Sequence, residues 1–388
     1  LTTGTCLAHL GHNVTIADID EIKVQKLNEG EVPIFEPGLS ELLTQGIKNG
    51  NLKFVVGAAG ACRKVAFHFL CLPTPPNQDG STNMEYFRSA IEEIKDVLPP
   101  NSVIVNKSTL PVGTASQLKK QIQRTDVEIV SNPEFLSEGN AVQDFLHPSR
   151  IVIGAESQEA ATRVAALFSD IDATTQITGT ESAELIKHTA NAFLAMKLTF
   201  INEIAALCEL VGANVLDVAE GIGYDPRIGS TYLRPGPGWG GSCFPKDSAS
   251  LLQTANKAGF DFELLEKAIT LNQTHLQRTA QKVIDALPEG KEIEKSKIAV
   301  LGLTFKAGTD DLRSSPSLAV IEYLLDLNAH VSAYDPMVNL PVEDMSKIEI
   351  TSTAYEAANN ADALVILTEW EEFADLNYER IHEAMCHP

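Results

Sequence analysis

The chain has 388 residues, enough for two or three domains with a core each. Its 44% hydrophobic and 21% charged composition excludes a disordered chain, and no apolar run reaches the roughly 20 residues of a membrane span. The 52 acidic against 30 basic residues, a formal net charge of -22, exclude nucleic acid as a partner and read as a solubilising surface.

The opening residues, LTTGTCLAHLGH, read as a helix and lack the basic start and cleavage site of a signal peptide. HNVTIAD reads as a buried strand ending in Asp18, with Asp20 close behind. In a dinucleotide-binding fold, an acid at the end of the second strand bonds the ribose hydroxyls and repels a 2′-phosphate, so Asp18 points to NAD over NADP. Taken alone, it would equally suit a solvated acid at a strand end. The G-x-G-x-x-G turn that belongs before such a strand is not in the sequence, which opens inside the first helix. That turn and its strand are expected to precede Leu1, and residues 1–388 alone are expected to bind NAD poorly. A further piece is expected after the closing IHEAMCHP.

KVAFHFLCL, SVIVNKS, VEIVSNP and RIVIGA read as more buried strands, with NMEYFRSAIEEIKDVL and QEAATRVAALFSDI as helices between them. This alternation predicts a parallel sheet with helices on both faces. From Thr180 to Val211, helical periodicity without Pro or Gly predicts one helix of about 45 Å. Asp225–Asp247, rich in Gly and Pro, predicts a structured loop, and helices resume from Ser248 to about Leu287. KIAVLGL opens a second α/β unit, continued by SPSLAVIEYLLDL, HVSAYDP and DALVILT. The fold class is therefore α/β, with two Rossmann-like doubly wound domains joined by a central helical region containing one long helix. The expected division is 1–179, 180–292 and 293–388.

The six cysteines, Cys6, Cys62, Cys71, Cys208, Cys243 and Cys386, are scattered without a CxxC, which suits a reduced cytoplasm and offers no zinc site. The nine histidines form no HExxH-type cluster, so no metal is expected. Cys243 differs from the other cysteines. It lies in GPGWGGSCFPKD, where Gly236, Gly238, Gly240 and Gly241 let the backbone approach a ligand. Lys246 and Asp247 follow, and a nearby cation favours a thiolate. Most lone cysteines fill cores, but one in a glycine-dense charged loop is poorly suited to that, which points to a nucleophile. Lys187 and Asn191, in ELIKHTANAF, stand four apart on one face of the long helix and suit oxyanion stabilisation. A solvent-facing pair is the plainer alternative, but Leu185, Ile186, Ala192 and Phe193 surround them with apolar neighbours.

With these residues in view, the chain resembles the nucleotide-sugar (UDP-glucose/GDP-mannose) dehydrogenase family. The matching segments are PIFEPGLSELL (33–43), NKSTLPVGT (106–114), SNPEFLSEGNAVQDFLHPSRIVIG (131–154), ELIKHTANAF (184–193), DPRIGSTYLRPGPGWGGSCFPKD (225–247) and GLTFKAGTDDLRSSP (302–316). They spread over nearly the whole chain, and SCFPKD together with KAGTDDLR is highly specific. The resemblance implies a double oxidation of a sugar's C6 alcohol: aldehyde, Cys243 thiohemiacetal, thioester, then hydrolysis to the acid, with two NAD consumed. It implies that Lys187 and Asn191 bind the C6 oxygen, that Asp247 activates water or orients Lys187, and that Glu134 assists hydrolysis. Thr109 would bind the catalytic water and the nicotinamide side. Which residue is the base at each step stays open.

For NAD the resemblance points to Asp18, Lys23, Thr74, Thr109, Glu138, Lys246 and Arg313. For the UDP-sugar it points to Glu134, Phe135 and Leu136, with the backbone on to Glu138, and to Lys187, Asn191, Arg227, Tyr232, Gly240 and Lys306. In relatives the residue matching Arg227 reaches a neighbouring subunit's site and the long helix dimerises, so a homodimer or higher homo-oligomer is expected. DALVILTEWEEF and DFLHPSRIVIG are more similar to the UDP-glucose branch than to enzymes of GDP-mannose or UDP-N-acetylhexosamines. The nearest rival is a single-oxidation β-hydroxyacid dehydrogenase, which needs no cysteine. A non-catalytic nucleotide-binding scaffold is the other, opposed by the joint presence of Cys243, Lys187, Asn191 and Asp247.

Overall fold

Strands form where β-branched and aromatic residues gather between turn-forming Gly, Asn and Asp. The computed structural model describes residues 1–77, 79–338 and 347–386. Residues 339–346 and 387–388 of the expected 293–388 domain, the last two in IHEAMCHP, lie outside the described residues. The chain divides into two units, Leu1–Ala190 with Ala249–Ala258, and Asn191–Ser248 with Gly259–Pro388.

In the first unit, β1 (Val14–Asp18) pairs in parallel with β2 (Leu52–Val56), Asp18 opposite Val56. β3 (Phe67–Leu70), β4 (Val103–Asn106), β5 (Glu128–Ser131), β6 (Arg150–Ala155) and β7 (Thr174–Thr178) form a second sheet in that order. The helix Thr2–His9 serves both sheets. Cys6 and Leu7 pack with Val103, Val105 and Val130, while Ala8 packs with Leu27, Leu43, Leu52 and Phe54. Val103, Ile104 and Val105 are all fully buried, so β4 is covered on both faces, as a central parallel strand should be.

The sheet is not wholly parallel as expected: β6 runs antiparallel to β5. Between them the only helix is Ala141–Leu146, whose six residues rise about 9 Å. That is too short to carry the chain back along the sheet and restart it in the same direction. β2 and β7 also escaped the sequence reading, and β7 (TTQIT) is an almost wholly exposed edge strand with no apolar pattern.

The long helix spans Thr180–Val211, as its unbroken periodicity predicts. The helix foreseen from Ser248 begins at Phe244, so Lys246 and Asp247 sit in its first turn and not in a loop. Pro245 marks a loop to the eye, yet in a first helical turn its missing N–H breaks no helical hydrogen bond.

In the second unit, β8 (Lys297–Leu301), β9 (His330–Tyr334), β10 (Ile348–Ile350) and β11 (Ala363–Ile366) form a parallel sheet in the order β10-β9-β8-β11. Ile298 and Val300 face Val320, Ile321 and Leu324 of the helix Pro316–Asp326, with Ala280 and Val283 of the helix Glu263–Asp285. Ala299 and Leu301 pack on the opposite side with Ala354, Ala357, Phe373 and Ile381. Helices on both faces make this the doubly wound arrangement.

Gly154 shows how closely β6 meets the long helix. A Cβ there would stand 2.5 Å from Ala183 Cβ and 2.9 Å from the Gly179 carbonyl oxygen. Gly154→Ala is therefore expected to destabilise the protein by about 1–3 kcal/mol in urea unfolding, the usual cost of overpacking. Gly60→Ala, with open space around its helical Cβ position, is expected to be neutral or mildly stabilising. Equal losses at both would show that close packing at Gly154 is not the cause.

Candidate active site

Two clusters carry the foreseen residues, one in each unit. In the first, Glu134 lies on the loop after β5. Its Oε2 accepts from the Leu136 amide at 2.6 Å and its Oε1 lies 2.9 Å from Lys187 Nζ. Lys187 is 3% exposed, and a buried ammonium requires such a partner. The Phe135 ring lies 5.5 Å from the same Nζ, and the Arg150 guanidinium stacks on that ring at 3.8 Å.

The loop is braced by carboxylates that sequence reasoning missed. Asp144 accepts from the Ser137 amide (2.8 Å) and Asn140 Nδ2 (2.7 Å). Glu36, inside PIFEPGLSELL, accepts from the amides of Gly139 (3.0 Å) and Ala141 (2.7 Å). Leu136 and Glu138 are thus fixed within a braced segment. A carboxylate set between Phe35 and Pro37 in PIFEPG was the available signal for Glu36.

The second cluster surrounds Cys243, which immediately precedes the helix Phe244–Lys257. A helix N-terminus favours negative charge, and the Ser242 hydroxyl lies 3.5 Å from Sγ. One turn on, Asp247 is fully buried. Its Oδ1 meets Lys246 Nζ at 2.6 Å and its Oδ2 accepts from Asn191 Nδ2 at 2.6 Å. Lys187 and Asn191, one turn apart on the long helix, are therefore each matched to a carboxylate, Glu134 and Asp247.

The glycine loop before Cys243 is gripped by buried polar side chains that no local pattern reveals. Gly236 donates its amide to Asn202 Oδ1 (3.0 Å), and its carbonyl accepts from His275 Nε2 (2.8 Å). Asn272 bonds both the amide and the carbonyl of Trp239, each at 2.9 Å, and the Trp239 indole donates to Thr199 Oγ1 (2.8 Å). Gly240 was read as making room for a ligand. Its Cβ would in fact stand 2.0 Å from the Ser314 carbonyl oxygen, so it also makes room for the chain itself.

Arg227, Tyr232 and Lys306, foreseen for the nucleotide sugar, and Arg313, foreseen for NAD, lie in the same unit as Cys243, whereas Glu134, Phe135, Leu136 and Lys187 lie in the first. Arg227 is exposed and held by Asp225 through Nε (3.0 Å) and Nη2 (2.6 Å). Tyr232 adopts a left-handed φ of 61° with its ring 6.1 Å from that of Phe244. Lys197, not foreseen, pins this loop by donating to the carbonyls of Ile228 (3.1 Å) and Thr231 (2.6 Å). Lys306 Nζ lies 5.7 Å from the Phe305 ring, and Arg313 is held by Asp311 at 2.9 and 2.8 Å.

On the cofactor side, Asp18 closes β1 with Lys23 Nζ 2.5 Å away. Burial opposes its ionisation, but hydrogen bonds from Lys23 and the Asp20 amide outweigh that and hold the carboxyl below its ordinary range. Asp20 caps the helix Glu21–Asn28. Thr74 and Thr109, both buried, follow β3 and β4. An ionised acid and hydroxyls beyond the carboxyl ends of parallel strands fit a dinucleotide ribose. Among the described residues no cluster of His, Cys, Asp or Glu could hold a metal, and no helix is long and apolar enough to cross a membrane.

Three models of one family match in succession: the NAD binding domain over residues 1–172, the central domain over 181–274 and the UDP binding domain over 299–388. A UDP-glucose 6-dehydrogenase of Rhizobium meliloti (strain 1021) is 44% identical over 100% of this chain and 91% of its own length. The chain belongs to the UDP-glucose/GDP-mannose dehydrogenase family. Another member, a UDP-glucose 6-dehydrogenase of Bacillus subtilis (strain 168), is 39% identical over 100% of this chain and 85% of its own. A solved UDP-glucose dehydrogenase from the archaeon Pyrobaculum islandicum superposes with a TM-score of 0.89 at 30% identity, covering 97% of this chain and 89% of that one.

If Asp18 binds the ribose, NAD should be preferred over NADP. Asp18→Ser removes the carboxylate and frees the Lys23 cation, so the NADP/NAD ratio of kcat/KM is expected to rise by about tenfold or more. An unchanged ratio would remove Asp18 from the ribose.

Proposed function

We propose that this chain oxidises UDP-glucose at C6 to UDP-glucuronate with NAD as cofactor, and that Cys243 carries the covalent intermediate. The observation that carries this reading is the 44% identity to a UDP-glucose 6-dehydrogenase along the entire chain. Bound NAD supplies the hydride acceptor for both oxidations. Asp18, Lys23, Thr74, Thr109, Glu138, Lys246 and Arg313 would hold it.

Lys187 and Asn191 bind the C6 oxygen. Their pairing with Glu134 and Asp247 aims both side chains without exposing them to bulk water, where such donors are weak. Cys243 Sγ attacks the C6 aldehyde, and its place before a helix N-terminus stabilises the thiolate needed. The second oxidation leaves a thioester. Water then adds to its carbonyl and Sγ departs with the electron pair, regenerating the thiolate. Glu134, Thr109 and Asp247 serve this hydrolysis. The braced backbone from Glu134 through Phe135 and Leu136 to Glu138 holds the sugar, with Arg227, Tyr232, Gly240 and Lys306 for its nucleotide. The three matched family domains support the division into 1–179, 180–292 and 293–388.

The long helix exposes Phe193, Phe200 and Leu207, which recur every seventh residue and are each more than half exposed. This stripe is read as a homodimer seam, and the scattered cysteines, without a CxxC, suit a cytoplasmic location.

Full turnover should yield two NADH per UDP-glucose, counted spectrophotometrically against UDP-glucuronate; one per substrate would return the single-oxidation rival. Faster turnover of GDP-mannose or a UDP-N-acetylhexosamine would overturn the substrate. Cys243→Ser is expected to abolish release of the acid, because a serine alkoxide forms and leaves far less readily. Complete double oxidation by that variant would end the covalent mechanism. Phe200→Asp is expected to convert a sedimenting dimer to monomer without loss of fold, and a dimer that persists would place the seam elsewhere.

A further inference from the structure

Two buried polar groups of the first unit have no place in the chemistry above. Glu184 stands three residues before Lys187 on the long helix, and Asn106 closes β4; both are more than nine-tenths buried. Glu184 accepts from the amides of Gly113 (2.6 Å) and Ala115 (3.0 Å) and from Ser131 Oγ (3.2 Å). Burial outweighs these bonds, with Glu181 adding like charge, and the carboxyl is pushed up to about 6. Asn106 has no hydrogen-bond partner at Nδ2 or at Oδ1, although both atoms are shut off from solvent. An amide buried with both ends unsatisfied is costly, and native proteins resolve such cases with an internal water.

Asn106, Glu184, Ser131, Thr109 and Lys187 line one chamber of about 10 Å³. About 10–15 Å³ by this measure is the room one water takes, provided the walls offer it two to four polar partners. These walls do.

We propose that Asn106 and Glu184 hold an ordered water in this chamber, and that through it Glu184 exchanges a proton with Lys187 during alcohol oxidation. The inference rests on Lys187 acting at the C6 oxygen. The Lys187 ammonium gives a proton to the water, which passes one of its own to the Glu184 carboxylate. The resulting amine takes the C6 hydroxyl proton as the hydride leaves C6. Lys187 ends as ammonium, the water is unchanged, and Glu184 holds the one proton the oxidation releases until solvent takes it. Other titratable groups about the chamber include Glu181 and His188 on the same helix, His188 bonding the Leu110 carbonyl, together with Glu134 paired with Lys187, and Lys107 after β4, whose charge interacts with Glu134, Lys187 and Cys71.

Glu184→Gln keeps the shape and one acceptor but cannot take a proton. Its kcat for UDP-glucose is expected to fall by about tenfold or more at an unchanged KM, and the wild-type loss of kcat below about pH 6 should vanish. Ser131→Ala, which removes one hydrogen bond from the carboxylate, should move that limb to higher pH. Without ligands, the folded wild type binds the Glu184 proton more tightly than the unfolded chain does. Its thermal midpoint should therefore gain on that of Glu184→Gln as pH falls from above 6 to about 4.5. A high-resolution crystal structure should show a water within hydrogen-bond distance of Asn106 and Glu184. Wild-type kcat and pH profile in Glu184→Gln would overturn the relay, and clear density without that water would overturn the site. If the wild type itself fails to oxidise UDP-glucose, the functional reading and the relay fall together, and the density alone judges the water.

Discussion

Burying a lysine ammonium is tolerable only when an acceptor stands beside it, and Lys187, buried against the partly exposed Glu134, imposes that condition on the first unit. A buried ammonium left without its partner is costly, so the loop after β5 must deliver Glu134 to a set place. Glu36 and Asp144 take up the loop's backbone amides, and Glu134 itself bonds the Leu136 amide. A segment that would otherwise be a mobile surface connection is made rigid by three carboxylates, each satisfying a donor that has no sheet or helix partner.

The second unit solves the same problem around buried Asp247 with one lysine and a set of neutral side chains. Asp247 is satisfied by Lys246 and Asn191, while Asn202, Asn272, His275 and Thr199 hold the glycine loop by side-chain-to-backbone and side-chain-to-side-chain bonds. Asn272 uses both ends of its amide on Trp239, as a neighbouring strand would. A loop without regular hydrogen bonding is thereby kept in one conformation up to Cys243. Such preorganisation is what donors and nucleophiles need to act without rearrangement in the reaction.

The net charge of -22 belongs to the surface and says little about the site. Lys187, Lys246, Arg227, Lys306 and Arg313 are few, but several are held by a local carboxylate, which sets where each cation points. On the reading proposed above, an anionic nucleotide sugar is drawn by local cations of this kind and not by the net charge, because solvent and salt screen close-range charges least.

The amino-acid sequence alone determined the α/β class, the 32-residue helix, the Cys243 loop and the spacing of Lys187 and Asn191. These depend on local periodicity, on Gly and Pro, and on residue types a few positions apart, all of which are written along the chain. Strand β7 escaped because a polar edge strand carries no apolar alternation, and the early helix start at Phe244 escaped because Pro245 reads as a breaker. Only the tertiary structure decided that Glu134 meets Lys187, that Asp247 meets Asn191, and that Glu36 braces a loop a hundred residues away. It alone decided that Gly240 must also yield to the Ser314 carbonyl. The physical reason is common to all of them. Each is a requirement that a buried group find a partner or a space, and which partner lies near is fixed by packing between elements, not by distance along the chain.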